Sequence, residues 1–567
     1  MPDIKTRIEI ARGDVKADIV YKNALIANVF TGEFIEGDIA VHDGYIIAIG
    51  EYDGLKNVNL NGKTVVPTLI DGHVHIESSM VSPVEFSKTI LKRGVGTIIA
   101  DPHEIANVKG TDGIDYMLES TEGLPLKVYL MMPSCVPVTD FETSGAVLKS
   151  DVLEKYIGHE RVLGLGEMMN FPGVIEGDQE VINKLESFKD MMIDGHGPII
   201  SSYELNAYIA GKIKTDHECS TLEEMQERLR LGMYIQLREA TGAKNLKTLL
   251  KGITPGNIDR CFFCTDDRHP ESLISEGSID NNIRIAISEG LNPIDAIKLA
   301  TINAANAYGL KEIGAIAPHY KANFIVLNDL ENFDIDSVYI SGINIDEWKY
   351  ENKTIKTESK VGQSVNIADI EIEDLKLNSE YFDEKMYIIG AIPDSLITDK
   401  IIIEKPLEIR DIVYDNGYKK LVVINRHTGE KNVGISAITG FGDFKGALAM
   451  TIAHDSHNLI IIGSNDEDIL AAIEFIKDLE GGVVVVKDGE LLESLPLEIA
   501  GLMSTSDINT VNKKLKSILA ICYDIGFKRE MDPLMALSFM ALPVIPSLKL
   551  TDRGLFDVDE FEYIWRN

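Results

Sequence analysis

The sequence predicts an α/β protein with a (β/α)8 barrel at its centre, a small composite β-sandwich domain and a C-terminal α+β domain. Strand-like and helix-like segments alternate eight times in the middle of the chain, which is the pattern of such a barrel. Short strands with tight turns flank this region on both sides, and the pattern changes toward the C-terminus. With 567 residues the chain is too long for a single core. We assign the small β-domain, the barrel and the C-terminal domain to residues 1–66 with 311–364, 67–310, and 365–567.

The flanking β-domain is predicted from apolar or alternating runs at residues 17–21, 24–30, 38–41 and 45–50. Turn residues separate the runs at His42-Asp43-Gly44 and Asn61-Gly62. A similar pattern returns at residues 322–327 and 335–342. One small domain built from both flanks of an inserted barrel accounts for both stretches.

The barrel is predicted from eight strand candidates with helical patterns between most of them. The strands fall at residues 65–70, 96–100, 127–132, 162–166, 191–194, 211–215, 233–237 and 260–265. Clear helical patterns lie at 83–93, 222–231 and 293–305. A doubly wound sheet is the competing fold. No Gly-x-Gly-x-x-Gly follows any of these strands, which disfavours it.

The C-terminal domain mixes both kinds of element. Strand-like runs at residues 421–425 and 483–486 alternate with helical ones at 468–479 and 513–523. This mixture predicts an α+β domain.

The composition excludes several classes of partner and compartment. The net charge of −35, from 90 acidic against 55 basic residues, repels phosphate backbones, so we expect neither nucleic-acid nor membrane binding. No apolar stretch approaches the ~18 residues of a membrane span, and the N-terminus resembles no signal peptide. We therefore expect a cytoplasmic protein, and a homo-oligomer of two or more copies. The five irregularly spaced cysteines predict no disulfide framework, and Cys261-Phe-Phe-Cys264 lies in an apolar run typical of a core.

The most informative motif is the pair His73 and His75 at the end of an apolar run. Residues i and i+2 of a strand point to the same side. Two imidazoles leaving one strand end on one side are suited to bind a divalent metal ion. Alone the motif is weak, but further candidate ligands follow downstream.

Seven of the eight predicted strand ends carry a His, Asp or Glu. In a barrel the chemistry gathers at these carboxyl ends, and buried strands are otherwise apolar because an unpaired charge there is costly. In chain order the strand ends carry His73 and His75, Asp101 with His103 and Glu104, Glu167, His196, Asp216 with His217 and Glu218, Arg238 with Glu239, and Asp266 with Asp267, Arg268 and His269.

These positions predict a binuclear metal site. One ion would take His73, His75 and Asp266, and the other would take His196 and His217, with Glu167 bridging both. Such a site lowers the pKa of a bound water, and Asp266 is a candidate general base for it. We expect two divalent ions, with Mn²⁺ or Fe²⁺ ahead of Zn²⁺. All three accept imidazole and carboxylate ligands.

The ligand order within a barrel flanked by a small β-domain resembles the amidohydrolase superfamily. Six longer motifs, the last of them in the C-terminal domain, are Pro67-Thr-Leu-Ile-Asp-Gly-His-Val-His-Ile-Glu-Ser-Ser79, Ala100-Asp-Pro-His-Glu-Ile105, Gly164-Leu-Gly-Glu-Met168, Asp194-Gly-His-Gly-Pro198, Cys264-Thr-Asp-Asp-Arg268 and Ala453-His-Asp-Ser-His-Asn458. These motifs resemble the microbial adenine deaminases more closely. Many superfamily members bridge the metals with a carboxylated lysine. This chain has Glu167 there, as the adenine deaminases do.

The resemblance implies hydrolysis of adenine to hypoxanthine and ammonia. Water activated at the metals would attack C6 of the purine, and Asp266 would pass a proton toward the leaving amine. A second acid must protonate a ring nitrogen. Glu218 is the first candidate and His103 or Glu104 the second, on their strand-end positions.

Other polar residues are candidates for contact with the substrate. Glu77 and Ser78 follow the histidine pair, and their alternative role is loop structure or helix capping. Arg238 and Asp267 lie at strand ends, where Arg238 would orient a purine or pair with the acidic cluster. His457 belongs to a polar loop of the last domain that either covers the barrel mouth or is only structural.

Two other functions stay open. One is an amidohydrolase that acts on a cyclic amide or N-acyl substrate with the same metals. The other is a non-catalytic scaffold on the same fold, which the six competent ligand positions disfavour. The cytidine-deaminase type of zinc site is excluded because the chain lacks Pro-Cys-x-x-Cys.

Overall fold

The computed structural model describes residues 3–350, 355–377, 385–393, 395–404 and 418–566. After the helix Ile4–Ala11, the chain forms the strands β1 (Ala17–Asn28), β2 (Glu33–His42), β3 (Tyr45–Gly50), β4 (Gly54–Asn59) and β5 (Thr64–Pro67). Strand β1 pairs antiparallel with β2 and parallel with β4 and β5. The two first predicted strands are one, since only a shift in register between Tyr21 and Ala24 interrupts β1.

The next strands form the barrel: β6 (Leu69–His75), β7 (Val95–Ala100), β8 (Lys127–Met132), β9 (Val162–Met168), β10 (Met192–Gly195), β11 (Thr215–Asp216), β12 (Tyr234–Arg238), β13 (Cys261–Cys264) and β14 (Asp266–Asp267). Parallel pairing runs from β6 to β10 and from β11 to β13. The amide of Lys214, just before β11, donates to Ile193 O on β10 at 3.0 Å.

The short strand β14 closes the barrel. It continues the direction of β13 and pairs parallel with β6, with Asp266 opposite Val74. A parallel sheet whose last strand returns to its first is a barrel and not an open doubly wound sheet. The predicted fold class is therefore confirmed, and the competing fold is wrong.

Two predicted strands differ from the structure. The run 65–70 is divided at Thr68 between β5 and β6, and it could not be divided by pattern because its residues from Val65 on are buried. Both histidines consequently lie inside β6. The run 211–215 is β11 only at its end, because Gly211 caps the helix Ser202–Ala210 and Lys212 has a left-handed φ of 67°.

Helices connect the strands of the barrel and surround it. The barrel helices are Pro83–Leu91, His103–Lys109, Thr111–Ser120, Ser150–Leu153, Phe171–Glu176, Gln179–Ser187, Ser202–Ala210, Leu222–Arg230, Leu246–Leu250, Pro270–Ser275, Ile279–Ser288, Pro293–Leu299 and Ile302–Ala307. The last two together replace the single helix predicted at 293–305.

After the barrel the chain returns to the first sheet through β15 (Phe324–Asp329), β16 (Asp334–Ile340) and β17 (Ile343–Asn344). The strand order is β17-β16-β15-β5-β1-β2-β3, with β4 on β1. Strand β5 thus joins strands from both flanks of the barrel.

The last part of the chain begins with the helix Glu358–Val361 and contains a mixed sheet, helices and a small three-stranded sheet. The mixed sheet comprises β18 (Lys385–Ala391), β19 (Thr398–Glu404), β20 (Lys419–Ile424), β21 (Val433–Thr439), β22 (Ala447–Met450), β23 (Leu459–Gly463), β24 (Gly482–Lys487) and β25 (Glu490–Pro496). The helices are Asp466–Leu479, Ile508–Ile525 and Pro533–Ser538, and the small sheet is β26 (Leu548–Thr551), β27 (Gly554–Asp557) and β28 (Glu562–Arg566).

This last part packs on the loops at the carboxyl ends of the barrel strands. Ser504 accepts from Ser82 N at 3.1 Å and donates to Met80 O at 2.8 Å through its backbone. The side chain of Asn458 donates to Thr143 O at 2.7 Å. The last part of the chain therefore contacts two of the loops at the mouth of the barrel. Among the helices that the structure describes, none has the length and apolar character needed to cross a membrane.

Candidate metal centre and active site

The histidine pair lies on the inner face of β6, opposite the carboxylate of Asp266. His75 holds its ring by donating from Nδ1 to Asp101 O at 2.9 Å, which leaves Nε2 to face the cluster. The Nε2 atoms of His73 and His75 lie 3.4 and 3.1 Å from Asp266 Oδ1. All three side chains are buried. They form one set of ligand-type atoms.

Glu167, on β9, faces the histidines in two groups. Its Oε1 lies 3.6 and 3.2 Å from Nε2 of His73 and His75. Its Oε2 lies 2.7 Å from Nδ1 of His196 and 3.2 Å from Nε2 of His217. One carboxylate therefore stands between two histidine pairs that come from strand ends on both sides of it.

Asp101 positions Glu167 from the end of β7, two strands away in the sheet. Its Oδ2 accepts from the Glu167 amide at 3.0 Å. This close approach requires glycine at position 166, where a Cβ would lie 2.0 Å from the same oxygen. The sequence pattern placed Asp101 at a strand end but assigned it no role.

The charges in the cluster compensate one another. Burial lowers the pKa of His73 and His196, but the carboxylates beside them outweigh burial and raise these pKa values to about 10 and about 9. Burial raises the pKa of Glu167 and of Asp266, but the histidines hold both well below the usual range. Ionised carboxylates and closely spaced imidazoles are the ligand types of a divalent metal.

The donor set fits two such ions. The atoms of His73, His75 and Asp266 form one compact group. His217 belongs to a second group with His73 and Glu167 and to a third with His196 and Glu218, and Glu167 Oε2 faces both His196 and His217. Nε2 of His73 is buried with no hydrogen-bond partner among the described residues, although buried polar atoms normally have one. The six ligand positions predicted from the sequence are thus brought together.

Arg238 and Glu218 lie beside the second group. The guanidinium of Arg238 donates to both oxygens of Glu218 and, from Nη1, to Asp266 Oδ2 at 3.0 Å. Burial raises the pKa of Glu218, but Arg238 and the nearby histidines lower it to about 2. Of the two roles predicted for Arg238, these contacts match pairing with the acidic cluster.

His103 and Glu104 lie on the other side, at the start of the helix His103–Lys109. Nδ1 of His103 is 3.5 Å from Glu167 Oε1, and its ring meets that of His75 edge to face at 4.6 Å. Burial lowers the pKa of His103, but Asp101 raises it to about 10. Glu104 instead contacts His454.

The candidates on the first loop are buried. Ser78 Oγ donates to Asp267 Oδ1 at 2.5 Å, and Glu77 Oε1 accepts from the Ile105 amide at 3.2 Å. The residue that caps the following helix is Ser82. Neither Glu77 nor Ser78 therefore caps the helix Pro83–Leu91, whereas Glu77 accepts from an amide in the first turn of the helix His103–Lys109.

Among the described residues, no hydrogen bond or ion pair joins His457 to the metal cluster. His457 is fully buried, and its Nδ1 accepts from the Ala453 amide at 3.2 Å. His454, in the same polar loop, contacts Glu104 of the barrel in place of the predicted His457. Nothing in the local sequence separates the two histidines, because the partner Glu104 lies 350 positions earlier.

Known protein families match both the barrel region and the C-terminal part of the chain. The Amidohydrolase family matches residues 64–344, and the Adenine deaminase C-terminal domain matches residues 395–562. Adenine deaminase 2 of Carboxydothermus hydrogenoformans is 46% identical over 100% of this chain and 99% of its own. The chain belongs to the adenine deaminase family. Its relatives named adenine deaminase in Clostridium acetobutylicum and Halalkalibacterium halodurans are 45% and 43% identical, each over 99% of this chain and 100% and 98% of their own. The predicted resemblance is confirmed.

Proposed function

We propose that this chain hydrolyses adenine to hypoxanthine and ammonia at a two-metal site in its barrel. The observation that carries the proposal is the match to adenine deaminases over the whole chain, the C-terminal domain included. The cluster around Glu167 supplies the ligand types that the reaction needs. Water and adenine are the substrates.

The contacts within the cluster support one division of the ligands between the two ions. His73, His75 and Asp266 would hold one ion, His196 and His217 the other, and Glu167 would give one oxygen to each. Mn²⁺ and Fe²⁺ are our first choices and Zn²⁺ the alternative. Two such ions, when bound, polarise water and make it a nucleophile near neutral pH.

Asp266 is proposed to move one of the water protons. Its Oδ1 faces the histidine pair, while Oδ2 accepts from Arg238. The arginine fixes the carboxylate and keeps it ionised, so that it can accept a proton. Attack of water on C6 forms the C–O bond, and transfer of a proton to the amine lets the C–N bond break and ammonia leave.

Glu218 is proposed to protonate a ring nitrogen of the purine. Because Arg238 keeps it as a carboxylate, Glu218 has to accept a proton from water before it can deliver one. Arg238 would thus hold both proton carriers in place. His103 is the second candidate, since its raised pKa keeps the ring protonated in the metal-free protein. Glu104 is occupied by His454.

Product analysis tests the proposal against the cyclic-amide alternative. We would incubate the Mn²⁺-loaded protein separately with adenine and with hydantoin, and would measure ammonia, hypoxanthine and ring opening. One ammonia and one hypoxanthine per adenine consumed, with hydantoin unchanged, is the expected result. Opening of hydantoin without loss of adenine would overturn the proposal. A homo-oligomer of two or more copies remains our prediction, and sedimentation would measure it.

A further inference from the structure

A loop of the C-terminal domain reaches the barrel beside the metal cluster. His454 Nδ1 lies 3.1 Å from Oε1 of Glu104, and its ring stacks on Phe539 with centroids 4.5 Å apart and planes inclined by 18°. Glu104 directly follows His103, whose Nδ1 is 3.5 Å from Glu167 Oε1. The loop therefore contacts the residue next to one that touches the centre.

The group of Glu104, His454 and His457 has the residue types of a third metal site, and its ligand atoms lie within 4.8 Å of one another. The tautomer of His457 argues against that interpretation. The Ala453 amide donates to His457 Nδ1, so the proton of the neutral ring is on Nε2. A protonated nitrogen cannot ligate a metal. His457 therefore offers a hydrogen-bond donor there.

His454 also has a nitrogen to offer. Its Nδ1 is used by Glu104, while no described residue hydrogen-bonds its Nε2. The His454 side chain is 9% exposed to solvent. Burial lowers the pKa of His454, but the Glu104 carboxylate beside Nδ1 raises it to about 9, so the ring is ionised near neutral pH and presents an N–H at Nε2. Glu104 and Phe539 fix the plane in which this N–H lies.

The chemistry of adenine matches such a donor. Beside the reacting C6, the purine edge carries ring nitrogens with lone pairs, and a cyclic amide lacks that pattern of acceptors. The barrel matches the general Amidohydrolase family, whereas the domain that carries His454 matches the Adenine deaminase C-terminal domain. A determinant of purine specificity is therefore expected on this domain.

We propose that His454 is a specificity-determining residue, whose Nε2–H donates to a ring nitrogen of adenine. Glu104 and Phe539 are positioning residues that hold its ring. The C-terminal domain thus completes the purine site of the barrel. This inference rests on the proposed function.

Two substitutions separate the two nitrogens of the ring. In His454→Asn the amide nitrogen takes the place of Nδ1, so the bond to Glu104 stays and the distal donor is lost. In His454→Gln the distal donor stays. We expect the KM for adenine to rise about 10-fold to 100-fold in H454N, with kcat within about 3-fold and two metal ions retained. The rise should be much smaller in H454Q. His42→Asn is the matched control, since Nδ1 of His42 lies 2.9 Å from Asp18 Oδ1 in the first sheet.

Inhibition by 1-, 3- and 7-deazaadenine identifies the acceptor. In the wild type one analogue should bind about 10-fold more weakly than adenine. In H454N that analogue should bind no more weakly than it does to the wild type. If H454N folds poorly, H454Q carries the test, since it keeps the distal donor and should bind the same analogue about 10-fold more weakly than adenine as well.

Three results would overturn the inference: an unchanged KM in H454N, equal losses in H454N and H454Q, or a third metal ion that H454N lacks. A wild-type protein without adenine turnover would instead refute the proposed function, so the two failures are distinct.

Discussion

Glu167 places Oε2 2.7 Å from Nδ1 of His196 while Oε1 faces the histidine pair of β6. A bridging role requires this arrangement, because each oxygen of the carboxylate must serve a different ion. It arises because β9 lies between the strand ends that carry the two histidine groups. The geometry of the backbone, and not of one loop, thus sets the spacing of the proposed ions.

Removal of the negative charge of Glu167 should reduce the number of metal ions that the protein holds. We expect Glu167→Gln to hold fewer than two ions per chain and to lose adenine turnover, because a neutral amide cannot neutralise two divalent ions. Elemental analysis after gel filtration measures the metal content. Glu239→Gln is the matched control, since Glu239 is a buried strand-end carboxylate outside the cluster. Two tightly held ions in Glu167→Gln would refute the bridging role.

Glu218 should affect the chemistry without affecting the metals. A group that moves a proton in the transition state contributes about 10²-fold to 10⁴-fold, so Glu218→Gln should lower kcat by that order. Two ions should remain bound. The exposed Glu223→Gln serves as the control. Activity of Glu218→Gln within a few-fold of the wild type would remove Glu218 from the proton path.

The metal-free protein should lose stability toward alkaline pH. In it the pKa values of His73, His103 and His196 are raised from 6.5 to about 10, about 10 and about 9. Their protonation therefore stabilises the fold fully below pH 6.5, and this contribution is lost as the pH rises through 9 to 10.

Metal ions bind the neutral imidazole, so the loaded protein should lack the part of this loss that comes from the proposed ligands His73 and His196. Melting temperatures from pH 6 to 10 measure the difference, which should widen with pH. Parallel curves for the metal-free and loaded proteins would contradict the explanation.

The glycine before Glu167 should be essential for the site. In Gly166→Ala the new Cβ would displace the Asp101 carboxylate, and with it the hydrogen bond that orients Glu167. We expect weaker metal binding, measured by competition with a chelator. Gly256→Ala is the control, because the nearest atom to its new Cβ is 3.8 Å away. Equal metal affinity of both variants would show that Asp101 does not position Glu167.

Much of the site could be predicted because barrel geometry is regular. Once strands are located by their apolar runs, the polar residues that follow them must meet at one end, and His73, Glu167 and Asp266 do so. The errors of prediction concern the bounds of single strands. Buried strands carry no alternation, so the run 65–70 gave no sign that Thr68 divides it between two sheets.

The contact between Glu104 and His454 could not be predicted from the sequence. It depends on how the C-terminal domain packs on the barrel, and no periodicity encodes an approach of residues 350 positions apart. The choice between His454 and His457 likewise depends on a backbone amide, that of Ala453, which fixes the tautomer of one ring.

Metal titration of the stripped protein tests the central claim most directly. We would add Mn²⁺, Fe²⁺ or Zn²⁺ in steps and measure ammonia release from adenine with the loss of adenine absorbance. We expect activity to rise until two ions are bound per chain and then to stay constant. Full activity in the stripped protein, or no turnover with two ions bound, would contradict the two-metal site.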